Sequence, residues 1–143
     1  MENQVNSKNL IVNKGLTLGA AMVLFSLVMY ATGNLLEPHW SGSLITSALF
    51  IGIVVWGIKS FKSENGGFLS WGQGVKIGVG IAILAGLINV VYTYVLMNFI
   101  EPDLMNQMME VQNQMYIDAG MTEEQIENTN EIYKELRYSI LRP

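Results

Sequence analysis

Three long stretches of this chain carry no charged side chain at all: residues 15–36, 40–58 and 77–100. A bilayer core about 30 Å thick is crossed by about 20 apolar residues of helix, because no lipid-exposed backbone polar group can be left unpaired there. Each run meets that length, so the expected fold class is an all-α membrane protein with three transmembrane helices. A mean hydropathy of +0.31 over 143 residues agrees. The first run could instead be a signal peptide flanked by Lys8 and Lys14. It is longer than a usual apolar signal core and lacks a clean small-x-small cleavage site, which favours a retained span.

The net charge of −4 hides a strong segregation. All but Glu2, Glu37 and Glu64 of the twelve acids fall after Ile100, where the only bases are Lys134, Arg137 and Arg142. The chain therefore divides into a three-span bundle over residues 1–100 and an acidic, Met-rich helical tail over 101–143. An acidic surface argues against nucleic acid as a partner, since phosphate contact needs bases. The partners expected instead are the lipid bilayer and another membrane protein or a second copy of the chain.

Positive residues near a span are retained on the cytoplasmic side. Lys8 and Lys14 precede the first span, Lys59, Lys62 and Lys76 lie between the second and third, and the connection Glu37-Pro38-His39 has no lysine or arginine. The N-terminus and the lysine loop are thus expected in the cytoplasm, with the Glu-Pro-His turn and the tail outside. Trp40 and Phe99 at one side, and Trp56 and Trp71 at the other, fit the places of interfacial anchors.

Asn65-Gly66-Gly67 is a turn signal, and Ser70-Trp71-Gly72-Gln73 fits a capping box that starts the third helix at Trp71. On that helix Gly74, Gly78, Ala82 and Gly86 recur every four residues, a ridge of small side chains that allows helix backbones to approach closely in lipid. It serves either a dimer interface or packing among the chain's own helices. Gly15 and Gly19 offer a shorter match on the first helix. Asn89, near the middle of the third span, must find a partner and is expected to act as interhelical glue, with a substrate or ion ligand as the rarer alternative.

In the tail, Glu101-Pro102-Asp103 reads as a helix start. Leu104, Met105, Met108, Val111 and Met115 follow at helical spacing, and Gly120 is a natural stop. Thr122-Glu123-Glu124-Gln125 is a second capping box, opening a helix with Ile126, Tyr133, Leu136 and Ile140 on one side. The expectation is an extramembrane helical hairpin.

Reaction chemistry has little to draw on, and the chain is read as a non-enzyme without a cofactor. No cysteine is present, which removes disulfides, thiolate metal sites and cysteine nucleophiles. His39 is the single histidine, and Glu-Pro-His in a short turn is no acid–base or metal motif. Met105, Met108 and Met109 could offer soft sulfur to Cu(I), but methionine at helical spacing is more often a packing stripe.

The run Gly57-Ile58-Lys59-Ser60-Phe61-Lys62, then Asn65-Gly66-Gly67-Phe68-Leu69-Ser70-Trp71-Gly72-Gln73, then Lys76, resembles the family catalogued as domain of unknown function 4199. The resemblance covers most of the chain and implies a small bacterial protein of the cytoplasmic (inner) membrane. Its loop motif falls here on Lys59, Asn65, Gly66, Gly67, Ser70, Gly72 and Gln73. It brings no activity, cofactor or catalytic residue. It also implies a Met-Thr-Glu-Glu-like helix start, matched by Met121 to Glu124, and a fourth hydrophobic helix that would begin where this sequence stops, at Pro143; either a further span follows Pro143 or this member lacks that helix. The function expected is that of a scaffold or accessory subunit acting through helix packing and the acidic segment. The alternatives are a subunit of an oligomeric transporter or pore, and an extracytoplasmic copper-handling protein.

Overall fold

The computed structural model describes residues 6–37 and 39–141; Pro38, Arg142 and Pro143, which entered the readings above, lie outside them. The described residues are all helical apart from turns, in the order α1 (Ser7–Ala31), α2 (Trp40–Glu64), α3 (Trp71–Val95), α4 (Leu104–Asp118) and α5 (Glu123–Leu141), with a π-helical turn, Leu96–Ile100, continuing α3. Two compact units result, Met1–Ile100 and Glu101–Pro143. Three helices are long and apolar enough to cross a membrane: Ser7–Ala31, Trp40–Glu64 and Trp71–Ile100.

The helices start and stop where backbone chemistry dictates, which is not where charge begins. The uncharged run to Leu36 is interrupted at Ala31, because Gly33 takes φ +73° and Asn34 N–H closes back onto Met29 C=O at 2.9 Å. Thr32 to Leu36 are therefore outside the helix. In the other direction α1 and α2 extend through their lysines, to Ser7 and to Glu64. A lysine at a helix end keeps its ammonium in water while its stem covers apolar surface, so charge does not end the hydrogen-bond ladder. At the end of α2, Gly66 and Gly67 have φ of +65° and +84°, and Gly67 N–H reaches Lys62 C=O at 2.9 Å. The capping box then opens α3 as expected, with Gln73 N–H donating to Ser70 Oγ at 3.2 Å and Ser70 N–H to Gln73 Oε1 at 3.0 Å.

The core of the first unit is Leu10 and Leu18 from α1, Phe61 from α2, and Ile77, Ile81 and Ala85 from α3. Four glycines let these helices close. A Cβ on Gly15 would lie 2.8 Å from Leu84 Cβ, one on Gly19 3.0 Å from Ile88 Cβ, one on Gly80 2.9 Å from Ile11 Cγ2, and one on Gly57 2.6 Å from Ile81 Cδ1. The pairs Ile11 with Gly80, Gly15 with Leu84 and Gly19 with Ile88 advance together, so α1 and α3 are parallel neighbours with α2 antiparallel to both. In lipid, where apolar burial drives helices together only weakly, such close van der Waals fit is the main cohesive term. Lys14 adds a cation–π contact, its Nζ 3.0 Å above the ring of Trp56.

In the second unit, Gly120 (φ +83°) ends α4, and Met121 N–H donates to Tyr116 C=O at 3.0 Å. Thr122 and Gln125 form the expected reciprocal cap on α5. Asn130 Nδ2 donates to Asn113 Oδ1 at 3.0 Å, tying the two helices into a hairpin. Pro102 falls in a turn just before α4, not in its first helical turn; Asp103 is the N-cap, and its carboxylate accepts from Asn106 Nδ2 at 2.8 Å. Of the apolar side expected on α5, Ile126 is buried while Tyr133, Leu136 and Ile140 are exposed.

Candidate functional site

The small-residue ridge of α3 does not form the tight seam. Gly80, on the opposite side of α3 from Gly78, receives Ile11, whereas a Cβ on Gly78 would meet Val54 and Ile58 of α2 at ordinary contact, 3.5 and 3.8 Å. Gly74 would meet only Leu69 at 3.8 Å, and Gly86 nothing within 4 Å. Gly74, Gly78 and Ala82 instead floor a groove of about 630 Å³ between α2 and α3, walled by Phe50, Val54 and Ile58.

Five of the seven family loop residues are explained by local backbone geometry, and Lys59 and Gly72 are not. Asn65 caps α2 and its Nδ2 donates to Phe68 C=O at 3.0 Å, Gly66 and Gly67 supply the left-handed turn, and Ser70 with Gln73 starts α3. Lys59 is exposed on α2, and a Cβ at Gly72 would meet nothing within 4 Å. Met105 and Met109 are half-buried and Met108 is exposed on α4. Among the described residues there is no cluster of three His, Asp or Glu able to hold a metal ion.

A cleft of about 540 Å³ is the feature with the most chemical character. It opens by Glu37 and His39, runs between α1 and α2, and ends on Asn89 of α3. Its two walls differ. The α1 wall is mostly Met22, Phe25 and Met29, with Ser26; the α2 wall presents Ser43, Thr46 and Ser47. Residues 43 and 47 are one helical turn apart and 46 lies beside them, so the three hydroxyls share one face of α2.

The hydrogen bonding of this face is only partly used. Thr46 Oγ1 donates to Gly42 C=O at 2.9 Å, and Asn89 Nδ2 to Ala85 C=O at 2.9 Å, which leaves the threonine lone pairs and the amide Oδ1 as acceptors. Asn89 Nδ2 also lies 3.8 Å from Met22 Sδ, a weak contact to α1. Among the described residues the hydroxyls of Ser43 and Ser47 make no hydrogen bond within the protein. Three residues beyond Asn89 on the same face, the hydroxyl of Tyr92 is buried and finds no partner among the described residues. Such a group costs about 1–3 kcal/mol while unpaired.

The cleft's serines and threonine were not singled out from sequence. Their signal was present, since hydroxyls at 43, 46 and 47 cluster on one face of an otherwise apolar span. Single hydroxyls are common in such helices because each can bond its own backbone, as Thr46 does.

Helices of this length and apolarity, stitched at glycines, put the chain in the class of helical-bundle membrane proteins. Residues 13–142, nearly the whole chain, match the family described as "Protein of unknown function (DUF4199)", and the chain belongs to it. The resemblance carried by the loop between α2 and α3 is thus borne out. No curated protein and no solved structure matches the chain.

Proposed function

We propose that this is a non-enzymatic multi-pass protein of a bacterial cytoplasmic membrane, acting as a scaffold or accessory subunit through lateral packing of its helices. The observation that carries this reading is the groove over Gly74, Gly78 and Ala82, a backbone-close surface that the chain's own helices leave open. The partner that fits is another membrane helix, from a second copy or a different protein. The chain has no native thiol, so Ala82→Cys provides a unique reporter. Oxidation in membranes should give a cross-linked species with Ala82→Cys and none with Leu16→Cys, which lies on an exposed face of α1. Equal behaviour of the two, with a monomeric mass in detergent, counts against the reading.

The orientation proposed has the N-terminus and the lysine loop in the cytoplasm and the acidic tail outside, supported by Lys8, Lys14, Lys59, Lys62 and Lys76. A reporter active only outside the cytoplasm should be active when fused after Asp118 and silent after Glu64. The reverse pattern overturns the topology. A second reading, a subunit of an oligomeric transporter or pore, is favoured by the polar cleft reaching Asn89. Solute flux in vesicles of the purified protein, abolished by Asn89→Leu, would decide for it.

A further inference from the structure

We propose that the cleft between α1 and α2 binds the uncharged, polyhydroxylated head of an amphiphile, with the chain of that molecule laid along the Met22, Phe25 and Met29 wall. The inference rests on α1 to α3 lying in a bilayer and is independent of the scaffold reading. Its volume, about 540 Å³, lies within the range of small-molecule sites, roughly 300–1,000 Å³.

Depth comes first. Trp40, 74% exposed at the start of α2, is suited to mark the membrane surface. At 1.5 Å per residue, Ser47 lies about 10 Å below it along the helix, at a level where bulk water is scarce. Polar groups at that depth need a partner, and the partner must enter from the mouth or from between the two helices.

The donor and acceptor pattern then selects the ligand. Thr46 Oγ1 is left to accept, because its hydrogen goes to Gly42 C=O, and Asn89 presents an Oδ1 acceptor together with a second Nδ2 hydrogen that only Met22 Sδ approaches; Ser43 and Ser47 can accept or donate. A phosphate or carboxylate head can only accept, so it would face two acceptors, and the lining has no lysine or arginine to offset its charge. A choline head has no hydrogen to donate. Sugar or polyol hydroxyls do both, and they match all four groups. The apolar α1 wall accounts for the amphiphile, since a free polyol would leave it uncovered.

The test uses the full chain with Ser26→Cys, which lines the cleft from α1 and is not one of the four groups, as its only thiol, reconstituted in phosphatidylcholine vesicles, reading the rate of maleimide labelling. Adding monoglucosyl diacylglycerol should slow labelling several-fold, and glucose in the buffer should not. Slowing by glucose as well keeps the polyol chemistry and assigns a free sugar as its source. An unchanged rate with the glycosyl lipid, or equal slowing by phosphatidylethanolamine, overturns the proposal. In the Ser26→Cys background, Thr46→Val with Asn89→Leu should abolish the protection while Thr46→Ser retains it. Resistance of the protein to alkaline extraction reports on bilayer placement separately.

Discussion

Where the three-helix unit carries Lys14, Lys59 and Lys76, side chains press into glycine notches; where it carries Glu37 and His39, the same helices part around a cleft of about 540 Å³. The buried core stops with Leu18 and Ala85, and from Met22 and Asn89 onward the lining becomes mixed. Both ends are built on helices of similar hydropathy, so apolarity does not separate them. What differs is whether a backbone meets a side chain across the seam. Where glycine faces isoleucine or leucine, contact is dense; where methionine and phenylalanine face serine and threonine, a gap remains.

The comparison can be broken most directly at the seam. Gly15→Leu and Gly19→Leu should each destabilise the bundle by about 3 kcal/mol, since the inserted side chain collides with Leu84 or Ile88 close to the backbone. Gly86→Leu, which meets nothing, should leave stability within about 0.5 kcal/mol. Denaturation of the detergent-solubilised protein, followed by circular dichroism, reads both. If Gly86→Leu proves as costly as Gly19→Leu, the seam has been put on the wrong side of α3.

A smaller loss is expected at the helix start on the lysine side. Ser70→Ala removes one half of the capping box and should cost about 1 kcal/mol, with Ser70→Asp restoring most of it. The other end should behave differently. Replacing Ser43 and Ser47 together by alanine should change stability by less than about 0.5 kcal/mol, because neither hydroxyl bonds to another described residue. A large loss there would mean that the hydroxyls hold the bundle together. Smallest of all, Met105, Met108 and Met109 changed jointly to leucine should leave the hairpin folded, as volume is roughly conserved. Cu(I) titration of the parent should show no stoichiometric uptake.

Element existence was legible in the sequence, and so was much of the local chemistry. Two capping boxes, the turn at Asn65-Gly66-Gly67 and the stop at Gly120 all rest on short-range hydrogen bonds that a few adjacent residues determine. The seam was not legible. In a helix that is apolar all round, core-facing and lipid-facing positions are chemically alike, so periodicity cannot choose a side. The regular four-residue ridge drew attention to Gly78, while Gly80 makes the closer approach. The cleft was hidden for a related reason: it needs α1 and α2 to diverge, and divergence depends on which pairs pack elsewhere.

The parallel seam between α1 and α3 also bears on the order in which the protein can be made. The helix α1, made before α2 and α3, has its notches at Gly15 and Gly19 filled by Leu84 and Ile88, almost the whole bundle later in the chain. During translation α1 and α2 therefore stand beside each other before either glycine is covered, and the final fit waits for the third helix to leave the ribosome. A nascent chain halted before residue 84 has a complete first span with an unfilled groove along it. That groove is the part of the molecule most open to a wrong neighbour while synthesis is under way.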